Sequence, residues 1–174
     1  MLRTLLIGTM CLMGTTALSA DMNDDTPWFV GINYVEQNFG NLDGQDIEGD
    51  SYAVFGGHQM NDRVSLELTY ADINIDNFTL NGQSYNDRAS DYLAMSAKYN
   101  FGDFSGITPF VRVSFVESDD SISSGGQTID IVDRGFIGAI GGEYPLTESI
   151  TLRAEVFSGR GSNNGWAVGP RVSF

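Results

Sequence analysis

Val64-Ser65-Leu66-Glu67-Leu68-Thr69-Tyr70 alternates apolar with polar residues through seven positions. Successive side chains of an extended strand point to opposite faces. Val64, Leu66, Leu68 and Tyr70 therefore share one face, and Ser65, Glu67 and Thr69 share the other. This is the signature of a β-strand with one apolar and one polar side.

The same period returns along the chain. Trp166, Val168, Pro170, Val172 and Phe174 alternate with Ala167, Gly169, Arg171 and Ser173. Leu93, Met95, Ala97 and Tyr99 oppose Tyr92, Ala94, Ser96 and Lys98, and Pro109, Val111, Val113 and Phe115 oppose Phe110, Arg112 and Ser114. Ile150, Leu152, Ala154 and Val156 oppose Thr151, Arg153 and Glu155. Three less regular strands are expected over about 28–37, 51–60 and 134–144. The last carries Gly135, Gly138, Gly141 and Gly142, which in a tightly curved barrel leave room for large neighbours. The expected total is eight, an even number as in bacterial membrane barrels.

The connections alternate in length. Short turns are expected at Asn61-Asp62, around Gly102 to Gly106, and from Leu146 to Ser149. Long polar connections are expected over 39–50, 72–90 and 117–133. Short turns at one end and long loops at the other are the asymmetry of outer-membrane barrels. Two of the long loops read as protruding hairpins. Asn81-Gly82 lies between Phe78, Leu80 and Tyr85, a type I′ signal, and Gly125-Gly126 lies between Ile122 and Ile129.

Residues 1–20 read as a cleaved secretory signal. Arg3 is followed by the apolar run Leu5 to Met13 and the small-x-small site Ala17-Leu18-Ser19-Ala20. That run is too short to span a bilayer as a helix. Cys11 lies within it, and Met10 before it does not suit a lipoprotein site. The mature chain, 21–174, is then one domain of 174 − 20 = 154 residues without cysteine, so disulfide and thiol chemistry are excluded. All 23 acidic residues and 8 of the 9 basic ones follow residue 20, giving 8 − 23 = −15. A nucleic-acid partner is therefore not expected. No mature segment approaches the roughly 18 consecutive apolar residues of a membrane helix, so any span must be a barrel.

A soluble sandwich also alternates, but it turns its apolar face inward. Here the polar face carries Glu67, Lys98, Arg112, Glu143, Arg153, Glu155 and Arg171. Trp28, Tyr70, Tyr99, Tyr144, Trp166 and Phe174 sit near strand ends on the apolar face, as in an interfacial aromatic girdle. Charge inside and aromatics at the rims suit lipid outside. The expected fold is an all-β, eight-stranded antiparallel up-and-down transmembrane β-barrel in the outer membrane of a Gram-negative bacterium.

Particular segments carry a family resemblance. The stretch Gly56-Gly57-His58-Gln59-Met60-Asn61-Asp62-Arg63-Val64-Ser65-Leu66-Glu67 resembles the hairpin between strands two and three of small eight-stranded outer-membrane proteins. Gly142-Glu143-Tyr144-Pro145-Leu146-Thr147-Glu148 with Leu152-Arg153-Ala154-Glu155 resembles the turn between their strands six and seven. Val172-Ser173-Phe174 resembles the C-terminal aromatic signal read by the outer-membrane assembly machinery. Over nearly all of 27–174 the chain resembles the barrel domain of outer membrane protein A and its short opacity- and X-type relatives. It stops at Phe174, so the peptidoglycan-binding domain of the longer members is not expected.

The inward charges are the most informative constellation. Glu67, Lys98, Glu143 and Arg153 should lie at similar depth near the short-turn end, with Glu143 and Arg153 roughly diagonal to each other, and Arg112 and Glu155 point the same way. An eight-stranded interior is just wide enough for side chains to fill, and a lone charge there would cost several kcal/mol, so the charges must pair. A fixed salt-bridge plug is one reading, and a partner-swapping gate is the other. The resemblance implies that Glu67, Lys98, Glu143 and Arg153 occupy the gate positions of the related barrel domain.

Asp43, Asp46, Glu48 and Asp50, and then Glu117, Asp119 and Asp120, make the loops acidic. A solvated repulsive surface explains them, as would divalent-cation bridging to lipopolysaccharide. No EF-hand spacing is present, so no dedicated metal site and no cofactor are expected. The single histidine, His58, falls near a short turn and reads as a girdle substitute, which leaves a Ser-His or metal-hydrolase site without parts.

The leading expectation is a structural and surface-interaction protein, not an enzyme. It is expected to be a monomer in contact with outer-membrane lipid, lipopolysaccharide and the assembly machinery, with host or cell-surface ligands reached through its loops. Unpaired hairpin edges could recruit a partner strand. A narrow, low-conductance pore is the alternative, and a lipid-modifying enzyme a distant third.

Overall fold

The computed structural model describes residues 28–42, 45–75, 78–80, 83–124, 127–159 and 164–174. They form nine strands: β1 Trp28–Leu42, β2 Gln45–Gln59, β3 Val64–Ile75, β4 Phe78–Leu80, β5 Gln83–Asn100, β6 Thr108–Ser124, β7 Gln127–Pro145, β8 Ile150–Gly159 and β9 Asn164–Ser173. Eight of them close a ring in the order β1-β2-β3-β5-β6-β7-β8-β9, with β9 returning to β1 and β5 following β3. Every pairing is antiparallel. Closure leaves the membrane-spanning part without an open edge.

The ninth strand, β4, stands outside the ring and pairs Phe78 with Tyr85 and Leu80 with Gln83. The two-residue connections Asn81-Gly82 and Gly125-Gly126 lie outside the described residues, as does the expected signal segment 1–20.

The strands run well beyond their apolar stretches, which extends the expected strand boundaries and matches the two hairpins expected to protrude over 72–90 and 117–133. Residues 39–50, expected as a long polar connection, are mostly ladder. β1 and β2 pair as far as Leu42 with Gln45, and β6 and β7 as far as Ser124 with Gln127. Likewise β3 extends to Ile75 and β5 begins at Gln83. The reason is physical. Backbone N–H and C=O groups need partners whatever the side chain, so a ladder continues into water after the apolar alternation stops.

The wall is apolar outside and charged inside. Met95 and Phe136 are each 66 % exposed on the outer face, whereas Lys98 is 0 % and Arg153 2 % exposed in the interior. On β7 the outward stretch from Phe136 to Tyr144 covers nine residues, the length of a tilted membrane strand.

Glycines shape the interior through facing phenylalanines. Gly31 faces Phe55, Gly57 faces Phe29, Gly141 faces Phe110 and Gly165 faces Phe157 across neighbouring strands. A Cβ at any of these glycines would collide with the ring opposite. The phenylalanines thus lie flat over bare backbone, and Phe29, Phe55 and Phe110 are fully buried.

Candidate functional site

Seven charged side chains converge in the lumen toward the short-turn end. They come from β3 (Glu67), β5 (Lys98), β6 (Arg112), β7 (Glu143), β8 (Arg153 and Glu155) and β9 (Arg171), and all are buried. Strand alternation puts them there, because each sits at an inward-facing position. Their ion pairs make one chain of alternating sign. Arg171 reaches Glu143 at 3.0 Å, Glu143 bonds Lys98, and Lys98 lies 3.8 Å from Glu67. Glu67 takes Arg153 at 2.9 Å, Arg153 takes Glu155 at 2.9 Å, and Glu155 takes Arg112. Four cations and three anions give the chain a net charge of 4 − 3 = +1.

Geometry corrects one expectation about this cluster. Glu143 and Arg153 are directly opposite in register rather than diagonal. They nevertheless bond away from each other, Glu143 to Lys98 and Arg171, and Arg153 to Glu67 and Glu155. The sequence reading put Arg171 on the polar face without assigning it to the cluster, although its inward phase was the available signal.

Aromatic rings position the cations. The Arg153 guanidinium lies between Phe55 and Phe110, 5.0 and 4.8 Å from their centroids. Arg171 lies 4.0 Å from the Phe29 centroid and Lys98 5.1 Å from that of Phe110. Cation–π contacts of this kind are worth about 0.5–2 kcal/mol. The sequence reading missed these rings, because a phenylalanine on a polar strand face gives no local sign of its partner. Above them Arg112 donates to Ser96 at 3.2 Å and also to Ser114, and the two hydroxyls are 2.8 Å apart. Arg112 meets Glu155 with two nitrogens, Nε and Nη2, the planar fork of a bidentate pair.

This barrel, with its inside-out polarity and closed antiparallel ring, matches the sequence family described as outer membrane protein beta-barrel domain over residues 7–170. The chain belongs to that outer-membrane barrel family. Its place is the outer membrane of a Gram-negative cell. No curated protein sequence matches it. Among solved structures, neisserial surface protein A is 18 % identical with a TM-score of 0.67, over 84 % of this chain and 97 % of that one. The N-terminal β-barrel domain of OprF from Pseudomonas aeruginosa is 17 % identical with a TM-score of 0.59, over 84 % and 97 %. Ail of Yersinia pestis, in complex with the heparin analogue sucrose octasulfate, is 13 % identical with a TM-score of 0.62, over 86 % and 99 %. At these identities the likeness is one of fold.

Aromatics mark both rims of this outer-membrane barrel. At the short-turn end Trp28 packs edge-on against His58 at 4.6 Å, and Tyr99 against Phe101 at 5.3 Å, with Tyr144 exposed nearby. His58 thus lies in the aromatic rim. At the other end Tyr34 packs between Tyr52 and Trp166, and the Tyr70 hydroxyl donates to Asp91 at 3.1 Å. The Phe174 backbone N–H donates to the Trp28 carbonyl at 2.9 Å, tying the final residue to the first strand. Among the described residues no group of three or more metal-ligating side chains is present.

At the far end of the barrel, one edge of β7 has no partner strand among the described residues. β7 pairs with β6 along its whole length from Gln127, but with β8 only from Ile137, which faces Gly159. Residues 127–136 are therefore paired on one side only among the described residues. That edge is about 33 Å long at roughly 3.3 Å per residue. It holds no lysine or proline, and the β6–β7 register runs without a shift. Neither proline nor a bulge interrupts the ladder. Asp130, Asp133 and Arg134 are its charged residues, and charge is the edge-protecting feature present.

Proposed function

We propose that this outer-membrane barrel is a surface-interaction protein that engages a partner through the hairpins standing above the membrane. The observation that carries the reading is the β7 edge over 127–136, which among the described residues pairs with β6 alone. An open ladder edge binds an extended segment by main-chain hydrogen bonds, with side-chain complementarity setting the choice.

Charge narrows the partner. Residues 36–50, 72–91 and 117–134 hold 14 Asp and Glu against 2 Arg, a net 2 − 14 = −12. Ail was solved with a polysulfated ligand, and an acidic surface like this one repels such a molecule. A host or cell-surface polypeptide with cationic side chains fits instead. The test is adhesion by cells displaying the protein with residues 118–133 replaced by a short turn. Lost adhesion with an intact barrel, judged by a heat-dependent gel shift, supports the reading; undiminished adhesion sinks it.

A second reading is a narrow, low-conductance pore gated by Glu67, Lys98, Arg112, Glu143, Arg153 and Glu155. It is favoured by the alternating chain, since each anion touches two cations and could exchange one for another. Single-channel recording beside a Glu143→Ala variant decides it. Discrete openings altered by the variant support a gate, and silence from both proteins supports a plug.

A further inference from the structure

We propose that the β5–β6 turn is a membrane-interface anchor that inserts Phe104 into the phospholipid surface of the inner leaflet. This turn spans residues 101–107, longer than the β2–β3 connection over 60–63 and the β7–β8 connection over 146–149.

Its backbone is held in a defined shape. The Phe101 N–H donates to the Pro109 carbonyl at 2.9 Å, and Phe104 and Ile107 exchange backbone hydrogen bonds at 2.7 and 3.3 Å. Ser105 and Gly106 between them have φ of 57° and 85°, so a left-handed two-residue tip reverses the chain as a type I′ turn does. The Asp103 carboxylate accepts from the Gly106 N–H at 3.3 Å.

The tip is aimed sideways. Glu143 points into the lumen, so Gly142 and Tyr144 on either side of it belong to the outer wall. A Cβ placed on Gly142 would sit 3.1 Å from Ile107 Cγ2, and one on Gly106 would sit 3.9 Å from Tyr144 Cε2. The turn therefore lies over the foot of β7 on its lipid side, and the absent side chain of Gly142 makes room for Ile107.

What the turn presents there is apolar. Phe104 is 76 %, Phe101 60 % and Ile107 47 % exposed, and Tyr144 and Leu146 are exposed beside them. Asp103 is the single charge in the segment. The patch is continuous with the lipid-facing wall through Gly142 and Tyr144, and it stands at the rim where aromatics are favoured for their amphipathic fit to headgroups. A rigid apolar tip bent outward at this level meets lipid before it meets the periplasm.

The test is depth measurement by a nitroxide label at Phe104→Cys, in a chain carrying Cys11→Ser, reconstituted in phosphatidylethanolamine and phosphatidylglycerol vesicles. A label at Asp62→Cys in the β2–β3 turn is the aqueous reference. The expected result is an oxygen-to-nickel-chelate accessibility ratio several-fold higher at residue 104 than at residue 62. Equal, water-like ratios overturn the anchor and point the turn at a soluble periplasmic partner. Should Phe104→Cys fail to fold, Ser105→Cys keeps Phe104 in place and is read in the same way.

Discussion

Arg153 and Glu67 stand on strands diametrically opposite in the eight-membered ring and are joined by a 2.9 Å ion pair across the lumen. β8 and β3 share no backbone ladder, so this pair is a cross-brace made by side chains alone. Its position rests on glycine. Gly31 lets Phe55 lie flat, Gly141 does the same for Phe110, and the two rings hold the Arg153 guanidinium between them.

Removing one end of the brace should be costly. Arg153→Met leaves Glu67 facing only Lys98 at 3.8 Å and Glu155 facing only Arg112. Breaking a buried pair in this way costs about 3–5 kcal/mol. Equilibrium urea unfolding of the refolded barrel measures it. The double variant Arg153→Met with Glu67→Gln should recover part of that loss, as a double-mutant cycle would register.

Exposure predicts the opposite outcome for a similar pair elsewhere. Arg134 meets Glu117 at 2.7 Å, but their side chains are 63 % and 37 % exposed. Arg134→Ala should change unfolding stability by at most about 1 kcal/mol. A larger loss would mean that the protruding hairpin contributes to barrel stability.

The facing glycines offer a matched comparison. Gly141→Ala puts a methyl into the Phe110 ring and the Ala154 carbonyl, whereas a Cβ at Gly138 comes no nearer than 4.0 Å to Ser158 O. Gly141→Ala is expected to cost about 1–3 kcal/mol by overpacking, or to block folding in a heat-dependent gel shift, while Gly138→Ala stays close to the parent.

Binding at the β7 edge should respond to proline by position. Adjacent residues of a strand turn their N–H groups to opposite edges. Of Ile131→Pro and Val132→Pro, one therefore removes a donor from the edge away from β6 and the other breaks the β6 ladder. One variant should lose adhesion with the hairpin intact by hydrogen exchange, and the other should also loosen β6–β7. Adhesion should weaken with salt in the parent, because the attraction is screened over about 8 Å at physiological ionic strength.

Some of the architecture is local and was legible residue by residue. Val64 to Tyr70, Tyr92 to Tyr99 and Ile150 to Val156 declare their faces by period alone, and eight such segments with an inside-out polarity leave a membrane barrel as the physical solution. The inward direction of Glu67, Lys98, Arg112, Glu143, Arg153 and Glu155 follows from the same alternation. The hairpin lengths did not, because ladder hydrogen bonds are indifferent to hydropathy. β7 therefore begins at Gln127 although its apolar alternation begins near Arg134.

By itself, then, the sequence determined which face each side chain takes, which residues meet lipid and which are forced into a narrow interior. That follows from a period of two and the expense of leaving charge in hydrocarbon. Partner choice inside the lumen was decided only by tertiary structure. Glu143 faces Arg153 in register yet bonds Lys98 and Arg171, while Arg153 reaches across the ring to Glu67. Long side chains converging from six strands choose among several opposite charges within reach, and that choice depends on ring closure and on phenylalanines seated over glycines. The β7 edge and the outward cant of the Phe104 turn are of the same kind, since each depends on where a neighbouring strand ends rather than on its own residues.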